Sequence, residues 1–167
     1  SQDDKFNQKF VFDKVIKVIA ERTIEDGEYE IRADSDENLV LDIQNASNDN
    51  EAKLQLWNDI DEPQQRFYIE YQGDGYYKIT VRKSGKMIDV KKASLKEGTS
   101  VQQYQNNNLD AQRWIIKDAG DGTYNIISKC NGLYMTIVGS VIPDSKIKLY
   151  SQDDKFNQKF VFDKVIK

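Results

Sequence analysis

A carboxylate, an amide and a large aromatic ring recur together in this chain. Asp42, Gln55 and Trp57 form one set, and Asp89, Gln102 and Tyr104 stand 47 residues further on. With Leu54 and Leu56 facing a core, the alternation of an extended strand sends Gln55 and Trp57 to the opposite face. Leu41 and Ile43 inward would likewise put Asp42 outward. The chemistry open to such a group is binding. A carboxylate can accept two neighbouring hydroxyls through charge-assisted bonds, while the ring offers a flat apolar plate to the C–H face of a polyhydroxylated ring. The competing reading makes Asp42 and Asp89 turn residues that close their own loops. Trp57 weighs against it, because a large aromatic on an outer face has few structural reasons to be there.

The rest of the chain narrows the chemistry by what it lacks. There is no histidine, which removes the usual general base, the Ser-His and Cys-His nucleophile pairs and the commonest metal ligand. Cys130 is the single cysteine, so it forms neither an intramolecular disulfide nor a zinc cluster, and it is expected as a small core hydrophobe. Asp59 with Asp61, or Glu25 with Asp26, resembles a glycosidase carboxylate pair. With 28 acidic residues among 167, however, such neighbours arise without function. The 24 basic residues are spread along the chain and the net charge is −4. A nucleic-acid partner is therefore not expected, since phosphate contacts need a basic stripe. No apolar run approaches the roughly 20 residues of a membrane helix, so no membrane insertion is expected. Neither a cofactor nor a metal is implied.

The elements that hold these residues repeat. Gln65-Arg66-Phe67, Gln112-Arg113-Trp114 and Gln158-Lys159-Phe160 stand 47 and then 46 residues apart. Asp42, Asp89 and Thr136 are each 47 apart, Trp57, Tyr104 and Tyr150 follow at 47 and 46, and Asp74-Gly75 and Asp121-Gly122 differ by 47. Such a period defines an architecture. Unit one runs over 24–75, unit two over 76–122 and unit three over 123–167. Tyr29-Glu30-Ile31, Tyr77-Lys78-Ile79 and Tyr124-Asn125-Ile126 show the alternation of half-buried strands. Each unit carries four such strands, with Asp-Gly turns between them where glycine supplies positive φ. Three units of four short strands predict an all-β protein, a β-trefoil: a six-stranded barrel capped by three hairpins. Phe67, Trp114 and Phe160 are expected in its core, with their glutamines bonded to nearby backbone. Three blades are too few for a propeller, and no long helical pattern supports a helical repeat.

Leu41-Asp42-Ile43, Gln55-Leu56-Trp57, Gln65-Arg66-Phe67 and their counterparts in unit two resemble the ricin-type B-chain lectin repeat with its Gln-x-Trp signature. Gly73-Asp74-Gly75-Tyr76-Tyr77 and Asp110-Ala111-Gln112-Arg113-Trp114 are similar to bacterial members. The resemblance implies a non-catalytic carbohydrate-binding module with glycans or glycoproteins as partners, galactose-type sugars as the family's default, and a secreted or cell-surface location. In that family the first Asp of a unit takes two sugar hydroxyls, a later aromatic stacks, and an Asn or Gln completes the site. Carried over, unit two offers Asp89, Tyr104 and Asn107, supported by Gln102 and Gln112. Unit one offers Asp42, Gln55 and Trp57 but has Ile60 where unit two has Asn107, with Asn58 as the substitute. Unit three has Thr136 for the Asp and Lys148 for the Gln, and is expected to be silent. The alternative is a protein-interaction β-trefoil in which these sites are relics.

One segment lies outside the three units. Ser1 to Lys17 reappears letter for letter as Ser151 to Lys167, so two copies compete for one place in the barrel. The chain is read as cut from a tandem array of 150-residue repeats, with 1–23 as the preceding tail and linker. An engineered duplication is the second explanation, and self-association through the leader the third. The C-terminal copy is expected to fill the barrel, and the leader to lie outside it or dock on a neighbour.

Overall fold

The structure is a computed structural model that describes residues 21–166. The expectations for the leader and its self-association fall on 1–20, outside the described residues. Twelve strands follow one another: β1 (Gly27–Ala33), β2 (Asp36–Ile43), β3 (Leu54–Asn58), β4 (Phe67–Gly73), β5 (Tyr76–Val81), β6 (Met87–Val90), β7 (Thr99–Tyr104), β8 (Trp114–Gly120), β9 (Thr123–Ser128), β10 (Tyr134–Ile137), β11 (Ile147–Tyr150) and β12 (Phe160–Lys164).

Six of them close a ring. β1 pairs with β4, β4 with β5, β5 with β8, β8 with β9, β9 with β12, and β12 returns to β1, every pair antiparallel. The remaining six form the hairpins β2–β3, β6–β7 and β10–β11. This is a β-trefoil. β12 belongs to the C-terminal copy of the duplicated segment, which therefore occupies the barrel slot. The hairpins meet around the pseudo-threefold axis, where Lys53 bridges Gln102, Ser100 pairs with Lys148, and Lys146 bridges Gln55. Asp74-Gly75 and Asp121-Gly122 turn β4 into β5 and β8 into β9, with φ of 54° and 87° in the first and 54° and 77° in the second. Two successive left-handed residues are what a type I′ hairpin demands.

The motif aromatics sit at equivalent points in the core: Phe67, Trp114 and Phe160 are each 0% exposed. Each buries roughly 150–250 Å², on the order of 4–6 kcal/mol of apolar transfer at about 25 cal/mol per Å². Trp114 satisfies its indole N–H on the carbonyl of Ile88, 3.0 Å away. Thr23 ties the chain's entry to this core, donating its N–H to the Tyr77 hydroxyl at 2.7 Å and its own hydroxyl to the Ile116 carbonyl.

Glu30 on β1 is buried, with Arg32 paired to it and Arg66 beside it. One expectation needs correction. Cys130 is only half-buried: it packs against the core with its thiol 3.4 Å from the Ser128 hydroxyl, in the turn before β10.

Candidate functional site

The hairpins carry the candidate side chains in register. Asp42 stands opposite Gln55 across β2 and β3, Asp89 opposite Gln102 across β6 and β7, and Thr136 opposite Lys148 across β10 and β11. As expected, Leu54 and Leu56 face the core while Gln55 and Trp57 stand on the other side, half-buried. Asp42 also leaves the core face, but it is not open to solvent. Asp42 and Asp89 are 3% and 5% exposed.

The cause is the Gln-x-aromatic motif. Gln65 donates from Nε2 to Asp42 Oδ2 at 2.9 Å and to the carbonyl of Asn58 at 2.8 Å, while its Oε1 accepts the N–H of Ile60 at 3.0 Å. Gln112 repeats this on Asp89 Oδ2 at 2.7 Å, the Gln105 carbonyl at 2.9 Å and the Asn107 N–H at 3.0 Å. Gln158 does the same with Thr136 Oγ1, Ser151 and Asp153. The glutamines thus bond nearby backbone, as expected, and in addition fix the carboxylate of their own unit. On the other oxygen, Gln55 lies 3.1 Å and Gln102 3.4 Å from their aspartates. Burial pushes both carboxyls above the ordinary aspartate range, and the amide hydrogen bonds offset only part of that rise. Each oxygen holds one amide and keeps a further lone pair, so each carboxylate still has acceptor capacity.

Each carboxylate floors a hollow. In unit one a hollow of about 420 Å³ is lined by Asp42, Gln55 and Trp57, with Ile60, Gln64 and the turn Gln44-Asn45-Ala46. In unit two one of about 260 Å³ brings together Asp89, Gln102, Tyr104 and Asn107, with Leu109 and the turn Lys91-Lys92-Ala93. Gln112 acts from beneath it through Asp89. Asn58 is not among the residues lining the unit-one hollow; its side chain is exposed at the end of β3, and its carbonyl is what the site uses. Asn107 spends its Oδ1 on the Leu109 N–H at 3.0 Å, which leaves its amide N–H₂ to donate. A further hollow of about 560 Å³ lies between the Asp34-Ser35 turn, residues 117–119 and residues 152–159 and holds none of the candidate residues.

Each hollow is completed by the neighbouring unit, which sequence reasoning missed. Asp144, from the β10–β11 loop, lines the unit-one hollow and donates its N–H to the Leu56 carbonyl at 2.7 Å. Glu51, from the β2–β3 loop, lines the unit-two hollow and donates to the Gln103 carbonyl at 2.8 Å. The third equivalent is Gly98, whose N–H reaches the Leu149 carbonyl at 2.7 Å. All three have positive φ, 67°, 72° and 84°. Unit three therefore lacks both acids, with Thr136 and Gly98 in their places. A side chain at Gly98 would meet the Tyr150 hydroxyl, its Cβ falling 3.5 Å from that oxygen, and Phe156 packs edge-on against the Tyr150 ring with centroids 5.6 Å apart. The two turns were detectable in principle, since Gln44-Asn45-Ala46 and Lys91-Lys92-Ala93 keep the 47-residue step.

The acid pairs that resemble glycosidase carboxylates are engaged elsewhere: Asp59 binds Arg32 at 3.0 Å and Asp61 binds Arg66. Among the described residues no group of three or more acids or cysteines is gathered as a metal site. No described helix is long and apolar enough to cross a membrane.

Comparison with known proteins agrees with this fold. The model of the family described as ricin-type beta-trefoil lectin domain-like matches residues 6–104 and again 93–150. The chain belongs to this family, and carbohydrate binding is the class of function the family carries. Its fold is similar to the designed threefold-symmetric protein ThreeFoil, with 30% identity and a TM-score of 0.80 over 84% of this chain and 100% of that one. It is similar to part of an exo-β-1,3-galactanase from Clostridium thermocellum, with 31% identity and a TM-score of 0.79 over 83% of this chain and 30% of the galactanase. A ricin B-like lectin from Macrolepiota procera, solved in complex with lactose, shares the fold at 14% identity and a TM-score of 0.71, over 86% of this chain and all of that one. None of the curated protein sequences matches the chain.

Proposed function

We infer that the chain is a non-catalytic carbohydrate-binding module that holds galactose-type sugars in two shallow, metal-independent sites. In unit one Asp42 accepts sugar hydroxyls, Trp57 stacks on the ring and Gln55 supports the carboxylate. In unit two Asp89, Tyr104 and Asn107 take the same roles, with Gln102 and Gln112 positioning Asp89. Unit three is silent. The observation that carries this reading is the repeated pairing of a buried carboxylate, braced by two glutamines, with a half-buried aromatic ring in the same hollow. The names of two similar structures favour galactose: one relative is a β-1,3-galactanase and another was solved with lactose. A module of this kind meets its glycans outside the cell or at its surface. Single sites of this depth bind weakly, and linked copies gain avidity through effective concentration.

A dense glycan array with the parent and an Asp42→Ala, Asp89→Ala chain tests the reading. Galactose-type signals from the parent that vanish in the folded variant support it. Silence from both, with capture of a protein partner that the double variant retains, would identify the interaction-module alternative instead.

A further inference from the structure

The two hollows differ in charge, and the difference lies in the short turn that follows each aspartate strand. Unit two places Lys91 and Lys92 in the hollow with Asp89 and Glu51. Unit one places Gln44 and Asn45 there, with Asp42 and Asp144. Unit one therefore gathers two carboxylates and no cation, whereas in unit two the lysines match the carboxylates one for one. Among the described residues neither lysine makes an ion pair with a carboxylate.

Turn formation does not account for Lys92. The last two residues of each turn are left-handed, Asn45 at φ 60° and Ala46 at 50°, Lys92 at 54° and Ala93 at 49°. Asparagine suits that conformation and lysine has no preference for it. A residue that the local backbone disfavours, held at the mouth of a binding hollow, points to a ligand contact.

We propose that the unit-two site selects sugars bearing an anionic group, with hydroxyls on Asp89 and the charge on Lys91 and Lys92, while unit one takes neutral sugars and repels anionic ones. This rests on the reading that Asp89 and Asp42 bind sugar hydroxyls. Long flexible ammonium groups suit a carboxylate or sulfate whose position varies between glycans, because they act as point charges without a fixed fork.

Titration calorimetry on an Asp42→Ala chain, which leaves unit two alone, tests it with galactose, galacturonate and galactose 6-sulfate. The carboxylated and sulfated probes separate the two sources of charge. At least one of them binds about tenfold more tightly than galactose, and the advantage shrinks in high salt. Lys91→Gln with Lys92→Asn removes the advantage and leaves galactose binding in place. An Asp89→Ala chain, reporting on unit one, favours galactose. Equal affinity for all three sugars, or a preference that survives loss of both lysines, overturns the proposal and leaves carbohydrate binding standing. No binding of any of the three to the Asp42→Ala chain overturns both.

Discussion

Nε2 of Gln112 lies 2.7 Å from Oδ2 of Asp89, while Oε1 of the same glutamine accepts the N–H of Asn107 at 3.0 Å. One fully buried amide thus sets the position of the carboxylate and the start of the loop that brings Asn107 to the hollow. Gln65 and Gln158 make equivalent contacts in the other units, although in unit three the partner is a threonine hydroxyl. The motif is at once a folding element and the support of the site.

Replacing Gln112 by Ala strands a buried carboxylate, a backbone N–H and a carbonyl together. Unfolding in urea is expected to show a loss of about 3 kcal/mol. Sugar affinity at unit two falls and unit one keeps its own. A loss within 0.5 kcal/mol would mean that water replaces the amide and that the brace is dispensable.

Acid should weaken binding before it unfolds the protein. Burial has raised Asp42 and Asp89 above the usual aspartate range, so both lose their charge at a higher pH than an exposed aspartate, whose value is about 3.9. For stability the sign is opposite. A carboxyl whose folded pKa is raised favours the folded chain fully when protonated, below its unfolded value, and that contribution is lost as pH rises through the folded value. Affinity is therefore expected to decline on acidification above about pH 4, with the near-ultraviolet circular dichroism unchanged. Affinity that stays constant to that pH would contradict a role for ionised aspartate.

The two tryptophans divide their duties in a way that fluorescence can read. Trp57 lines the unit-one hollow half-buried, whereas Trp114 is fully buried and hydrogen-bonded in the core. Sugar binding is expected to shift the emission of the parent and to leave no shift in Trp57→Phe. The Trp57 replacement should change stability by no more than about 0.5 kcal/mol, as for a residue outside the core. A ligand-dependent shift that persists without Trp57 would move the unit-one contact elsewhere.

The barrel was legible because its determinants are local and recur. Tyr29, Tyr77 and Tyr124 with their Ile partners, and Phe67, Trp114 and Phe160 with their glutamines, report strand and core at steps of 46 to 48 residues. The faces of Gln55 and Trp57 followed from alternation alone. The burial of Asp42 did not, because the residue that covers it, Gln65, comes from 23 positions away and acts across the hairpin. Asp144 and Glu51 were harder still. Each serves a different unit from its own, a relationship that only closure around the threefold axis creates. Glu30 is buried with a local partner, Arg32 on the same strand, and a distant one, Arg66, which the alternation of β1 does not reveal.

The most direct test of the account is titration calorimetry with lactose on the parent, Asp42→Ala, Asp89→Ala and the double variant. Two sites predict two sugars bound per parent chain, one per single variant and none in the double variant, with all four folded by circular dichroism. Undiminished binding by the double variant would contradict the account, because neither carboxylate would then hold the sugar.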